Sequence, residues 1–302
     1  MEKFFKLKES GTDVKTELTA GVITFLSMVY ILAINPSILS GCGMDAGAVF
    51  TATAISAAAA TLFMAFFANY PIALASGMGL NAYFSYSVCG QMAAEGISDP
   101  WTVALAAVLV EGIIFILLSL SKFREALVND VPSNLKLGIS TGIGLFIVIV
   151  GLKGAGIVVA DPSTILTMGD IATPSVALAF IGLIAVAVMY HYKVPGYILW
   201  GILLTWILGM IAQACGWYVV DPAAGANSLF PDFSNGIGIS APYLFAFNFD
   251  YISSHLVEFA VIVFAFLFVD LFDTAGTVIG VANKGGMLDE NGDLPRAKQV
   301  LL

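Results

Sequence analysis

Runs of roughly twenty mostly apolar residues, the length a helix needs to cross a lipid bilayer, recur along most of this chain. By that rule spanning helices are expected near Glu17 to Leu39, Ala46 to Phe67, Trp101 to Leu120, Leu137 to Leu152, Ser175 to Tyr190 and Gly196 to Cys215. A longer one is expected near Ile252 to Val281. Apolar residues make up 59% of the 302 and charged residues only 11%, against about a quarter charged in an ordinary soluble domain. A globule of this length cannot hide so much apolar surface, because most of its residues touch the outside. The chain therefore reads as an all-α polytopic membrane protein with the bilayer as its partner.

Between the second and third of these runs lies Pro71 to Gly90, which is apolar but irregular. It opens on Pro71-Ile-Ala-Leu-Ala75, short enough for a strand, and breaks into Ser76-Gly77-Met78-Gly79-Leu80-Asn81. Counted as one discontinuous span with a short strand, it brings the expected total to eight. With the N-terminus in the cytoplasm, that count places every Lys and Arg except Lys153 on the inner side, as the positive-inside rule expects. Removing the odd third span would scatter them over both sides. The segment before the first span, Met1 to Glu17, is too charged for a secretory signal, so that span is expected to stay.

The polar stretches fall between spans. Lys153 to Thr173 and Gly216 to Asp250 are rich in Gly, Pro, Asn and Asp and read as outside loops with turns or short interfacial helices. Ser121 to Asn134 is polar on one side and is expected along the inner membrane surface, as a seam between groups of spans. Twelve basic residues and a net charge of −9 exclude a nucleic-acid surface. Cys42, Cys89 and Cys215 show no paired spacing, and they form no metal-ligand pattern with His191 or His255. Trp101, Trp200 and Trp217 read as anchors at the membrane interface.

Acids inside spans are the costly feature. A carboxylate at the bilayer centre costs roughly 2.5 to 3.5 kcal/mol even on a lenient scale. Glu111, Glu258, Asp270 and Asp273 are the candidates. At about 100° per residue, Asp270, Thr274 and Thr277 share a narrow arc of the eighth span, bordered by Asp273. A carboxyl there can accept N–H groups of a planar heterocycle. It can also carry a proton, since leaving water favours an acid's neutral form. Glu111 stands alone in its span and reads as a bond to a neighbouring helix. His255 and Glu258 are spaced to meet on one helix face and read as a structural or gating pair.

The glycine-marked break supplies the complement. A half-helix that starts inside the membrane has first-turn N–H groups without intrahelical partners. Those groups present donors and partial positive charge, and such backbone is tolerated only where it lines a cavity or is covered. Gly77 and Gly79 thus mark candidate binding backbone, and Asn81 adds an amide that both donates and accepts.

Four runs carry a resemblance: Pro71 to Phe84, Gly142 to Val159, Phe268 to Ala282 and Gly285 to Lys298. Together they resemble the bacterial and fungal adenine–guanine–hypoxanthine permeases, a branch of the nucleobase–cation symporter superfamily. One departure is Ser76, where that family usually has proline. The resemblance implies a fold of fourteen spans in two inverted repeats of seven. Core spans would lie in 1–120 and 252–302, and gate spans in 121–251. It implies uptake of a purine nucleobase with a proton across the plasma membrane, driven by the proton gradient without a cofactor, and no enzymatic activity. By position it makes Asn81 the third-span contact and Asp270 the eighth-span carboxylate, with Thr274 next and Asp270 and Asp273 handling the proton. A homodimer through the gate domain fits the same resemblance. Against that pattern the chain stops at Leu302, so spans nine to fourteen are missing, and these residues alone are expected not to transport.

Other readings remain. An anion transporter of similar architecture would not place a carboxylate opposite its broken helix. An intramembrane aspartyl protease using Asp270 or Asp250 would need paired motifs that the chain lacks. A purely structural membrane subunit would leave the polar face of the eighth span without a purpose.

Overall fold

The computed structural model describes residues 5, 7, 11–120, 133–220, 228–230, 240–287 and 300. Most of the inner-surface seam (121–132), parts of the second outside loop (221–227 and 231–239) and most of the last motif (288–299) lie outside the described residues. Five described helical spans are long and apolar enough to cross a membrane: Val14–Ser40, Ala46–Ala68, Pro100–Ser119, Pro174–His191 and Tyr197–Ala214. Their outward faces carry bare apolar side chains such as Leu18, Leu117 and Leu183, each more than 60% exposed. Surface of that kind needs lipid or protein to cover it. The chain is a multi-pass membrane protein. It forms two compact units, 1–30 with 148–238, and 31–147 with 239–302.

In the first unit, α1 (Val14–Met28) begins where the Asp13 carboxylate accepts a hydrogen bond from the Thr16 N–H at 2.9 Å. The Thr16 side chain and backbone together hold the Asp13 carboxyl below the usual carboxylate range. After α7 (Ser133–Gly154) comes a hairpin of β1 (Val158–Asp161) and β2 (Ile165–Met168), antiparallel with Val158 opposite Met168. Its turn is fastened by Asp161 Oδ1, which accepts from the N–H groups of Ser163 and Thr164 at 2.8 and 2.9 Å. Turns were expected there, but the hairpin was not. Two helices follow, α8 (Pro174–His191) and α9 (Tyr197–Ala214). They close on glycines: a Cβ at Gly182 would stand 2.3 Å from Thr205 Oγ1, and one at Gly201 2.1 Å from Val186 Cγ2. Small residues at such contacts let membrane helices approach where no hydrophobic force drives them together.

The second unit holds α2 (Ile31–Ser40) and α3 (Ala46–Phe63), the latter capped by Asp45, whose carboxylate accepts from the Ala48 N–H at 2.7 Å. A π-helical turn, Met64–Ala68, extends α3 and ends at Asn69, whose φ is +54°. The chain then runs without helix to α4 (Met78–Ala82), which continues through a π-helical segment, Tyr83–Cys89, into α5 (Gly90–Ala94). Next come α6 (Pro100–Leu120), the short α10 (Asp250–Ser254) and the long α11 (Leu256–Lys284). Helix α11 packs along α6, and Phe266 lies edge-on to Tyr83 with ring centroids 5.2 Å apart. Val103, Ala104, Ala106 and Ala107 of α6 are completely buried in this core.

Three expectations change here. No strand ladder forms at 71–75, because a strand needs a neighbour and the Leu74 backbone finds Thr61 instead. The Leu74 N–H donates to Thr61 Oγ1 at 3.0 Å, and that hydroxyl donates to the Leu74 carbonyl at 3.2 Å. Trp101 is 8% exposed and packs on Tyr243 with ring centroids 4.7 Å apart, so protein covers it; Trp200 and Trp217 are half exposed, as anchors would be. Cys42 and Cys89 are distant in sequence but their thiols lie within hydrogen-bond reach.

Candidate functional site

The interrupted helix positions everything else. π-Helical turns often mark functional positions in helices, and here one precedes the break and one follows it. Tyr70 and Ile72 within the break pack with Met64, Ala68 and Val278, so the non-helical stretch is held by apolar contacts on both sides. Ser76 Oγ is buried with no hydrogen-bond partner among the described residues. Gly77 then caps α4 with φ −74° and ψ 121° and offers no capping side chain.

An acid from another helix lies beside this cap. The Asp273 carboxylate of α11 lies so close to Gly77 that a Cβ there would be 3.1 Å from Oδ2. Negative charge at a helix N-terminus is the favourable pairing, since the first N–H groups and the helix dipole both point at it. Gly79 follows in the first turn of α4 and is half-buried.

One turn earlier on α11, Asp270 Oδ1 accepts from Thr274 Oγ1 at 3.1 Å. Helix α6, which packs along α11, carries Glu111. Glu111 is 7% exposed, and its Oε1 finds no hydrogen-bond partner among the described residues. The bond to a neighbouring helix that its isolation suggested is therefore not made by Oε1. The shared arc of Asp270 and Thr274 is realised, while Thr277 stays exposed. Of the two aspartates, Asp273 is the one laid against the break.

Asn81 is held by residues that sequence reasoning missed. Its Nδ2 donates to Asn35 Oδ1 at 2.5 Å, and Asn35 Nδ2 donates to Thr53 Oγ1 at 2.6 Å. Thr53 Oγ1 donates onward to the Val49 carbonyl at 2.7 Å. This chain of donors orients the Asn81 amide. Asn35 and Thr53 are both 4% exposed. The weighing applied to buried acids, extended to a lone amide beside Pro36 in an apolar run, would have marked Asn35.

His255 and Glu258 do not form the expected pair; the helix is interrupted at His255. His255 ends α10 with φ −132° and ψ 41°, and α11 starts afterwards. Both converge on Tyr251 instead. The His255 ring stacks on it at 4.4 Å, and the Tyr251 hydroxyl lies 3.5 Å from Glu258 Oε2 and 3.3 Å from Glu95 Oε2.

The fold and this site define a multi-pass membrane protein organised around an interrupted helix faced by acids. The model of the Permease family matches residues 15–297, and the chain belongs to that family. It is similar to a guanine/hypoxanthine permease of Bacillus subtilis, 42% identical over 298 residues, covering 99% of this chain and 66% of the relative. A second guanine/hypoxanthine permease of Bacillus subtilis is 42% identical over 311 residues, covering 100% of this chain and 67% of its own length. An adenine permease of Escherichia coli is 38% identical over 302 residues, 100% of this chain and 63% of the relative. The chain thus spans about two thirds of the length of these curated relatives.

Proposed function

We propose that the full-length protein imports purine nucleobases together with a proton, by alternating access across the plasma membrane, with its N-terminus in the cytoplasm. The observation that carries this reading is the acid face of α11 set against the break, with Asp273 at Gly77 and Asp270 one turn away. A neutral heterocycle with N–H donors and ring-nitrogen acceptors matches carboxylate, backbone N–H and amide acceptor at once. Asp270, Asn81 and Thr274 would contact the base, Gly77 and Gly79 would offer backbone, and Asp270 and Asp273 would manage the proton. The names of the relatives support the same substrate class. In this reading 1–120 and 252–302 belong to a core that holds the base, and 121–251 to a gate.

An anion carrier of similar architecture is the second reading, and Asp273 counts against it. Its carboxylate lies beside Gly77 at the start of the half-helix, where its negative charge would oppose an anionic substrate. Uptake of labelled hypoxanthine, guanine and adenine by the full-length protein, in cells without their own purine uptake, separates the two. Competition by unlabelled purines and none by sulfate or phosphate is expected. Competition by the anions alone would reverse the assignment.

A further inference from the structure

Ser76 brings to the interruption a hydroxyl that its surroundings leave unused. In the helices a hydroxyl returns its proton to the carbonyl one turn back, as Thr24 does to Ala20, Thr51 to Gly47 and Thr205 to Gly201, at 2.9, 3.0 and 2.8 Å. Ser76 lies in the stretch without helix between Ala68 and Met78, so no turn precedes it and that route is closed. Its Oγ is enclosed by protein and has no hydrogen-bond partner among the described residues. A hydroxyl taken out of water with its bond unmade is costly.

Neighbouring donors are already committed. Thr61 Oγ1 donates to the Leu74 carbonyl, Asn81 Nδ2 gives an N–H to Asn35, and Thr274 Oγ1 donates to Asp270. No Lys, Arg or His occurs in 16–121 or in α11 before Lys284, so the side-chain donors of these segments are neutral. The residue after Ser76 is Gly77, where a Cβ would stand 3.1 Å from Asp273 Oδ2. A carboxylate only accepts, whereas a hydroxyl also donates. An acceptor at Gly77 and an unused donor at Ser76 thus occupy adjacent positions along the break.

We propose that the Ser76 hydroxyl donates a hydrogen bond to the 6-oxo group of a bound purine, and so selects 6-oxopurines over 6-aminopurines. This rests on the purine-carrier reading above and says which purines that site prefers. In hypoxanthine and guanine the N1–H and the 6-oxo oxygen are neighbours on one edge, a donor beside an acceptor. The carboxylate and hydroxyl at the break present the complementary pair. In adenine the two positions are reversed: N1 accepts and the 6-amino group donates. With the base held in the same pose by Asp270 and Asn81, the hydroxyl would then face an amino group. It would have to accept, and its own proton would stay buried without a partner. Facing an oxo group it gives that proton away and leaves nothing unpaired.

The test uses the full-length protein in liposomes, with apparent affinities for hypoxanthine, guanine and adenine taken from labelled uptake and competition. The wild type should prefer the two 6-oxopurines. S76A is expected to weaken both by about three- to tenfold, the worth of one neutral hydrogen bond, and to leave adenine unchanged. S76T keeps the hydroxyl and should keep the preference. A ratio of hypoxanthine to adenine affinity that S76A leaves unaltered, whether both fall together or neither moves, would overturn the assignment of Ser76 while leaving the purine reading intact. A part in holding the break alone would move all three bases equally. A wild type that prefers adenine would overturn the assignment as well. Uptake of none of the three by the wild type would overturn the purine reading, and the proposal with it. Should S76A not insert stably, S76C decides by the same ratio, since a thiol is close in size but only a weak donor.

Discussion

The Asp273 carboxylate lies against the backbone of Gly77, 3.1 Å from the point where a side chain at that position would begin. An acid from the last described helix therefore meets the start of a half-helix, and the absence of a Cβ is what lets it approach. The backbone at Gly77 is ordinary, with φ −74° and ψ 121°, so the glycine serves proximity and not conformational freedom.

Gly77→Ala should therefore be tolerated by the backbone and felt by the acid. Displacing a positioned group by a fraction of an ångström is expected to lower purine uptake by roughly ten- to a hundredfold, with normal insertion. Gly90→Ala, where a Cβ would meet nothing within 4 Å, is the control and should transport as the wild type does. Initial uptake rates normalised to the amount of protein in the membrane check this.

Asn35→Ala removes the middle of the Asn81–Asn35–Thr53 relay. Leaving buried polar groups unpaired costs about 1 to 3 kcal/mol, and the freed Asn81 amide would no longer be held in one orientation. A lower thermal unfolding midpoint in detergent and a higher KM for purine are the expected results. A change in stability without a change in KM would separate the structural part of the relay from its part in recognition.

The contact between α8 and α9 gives a stability prediction independent of substrate. Gly201→Ala would put a Cβ 2.1 Å from Val186 Cγ2 as the helices stand, so they must part. Overpacking of this kind costs about 1 to 3 kcal/mol. Adding Val186→Ala should recover most of the loss, which thermal unfolding of the single and double variants would reveal.

Tyr251 carries a pH prediction. Burial first, and then the charges of Glu95 and Glu258, push its hydroxyl from 10.0 up to about 12. The folded state thus keeps this proton where the unfolded state has released it. The associated stability is whole below about pH 10 and is lost as pH rises toward 12. Tyr251→Phe should flatten the fall in unfolding midpoint across that alkaline window, measured against wild type.

Much of the helical layout was legible because it is local. Expected boundaries such as Ser175 to Tyr190 and Gly196 to Cys215 fall within a residue or two of Pro174–His191 and Tyr197–Ala214. The break was legible too, since glycines beside Ser76 and Asn81 interrupt an apolar run. The pairing of particular side chains was not. Helix periodicity sets Asp270 and Asp273 on adjoining faces but cannot say which one an opposing helix will meet. Two π-helical turns shift the register on either side of the break, beyond what a regular 3.6-residue repeat foretells. Asn81 finds Asn35, 46 residues away, and Glu111 is brought to α11 only because α6 packs along it. The missing strand at 71–75 has the same cause, a partner chosen in three dimensions.

Asp270→Asn in the full-length protein tests the central claim most directly, by hypoxanthine affinity measured across a range of external pH. An amide keeps the shape but cannot ionise, so the account predicts weakened binding and a flattened pH dependence. Affinity and pH dependence both unchanged from wild type would contradict it.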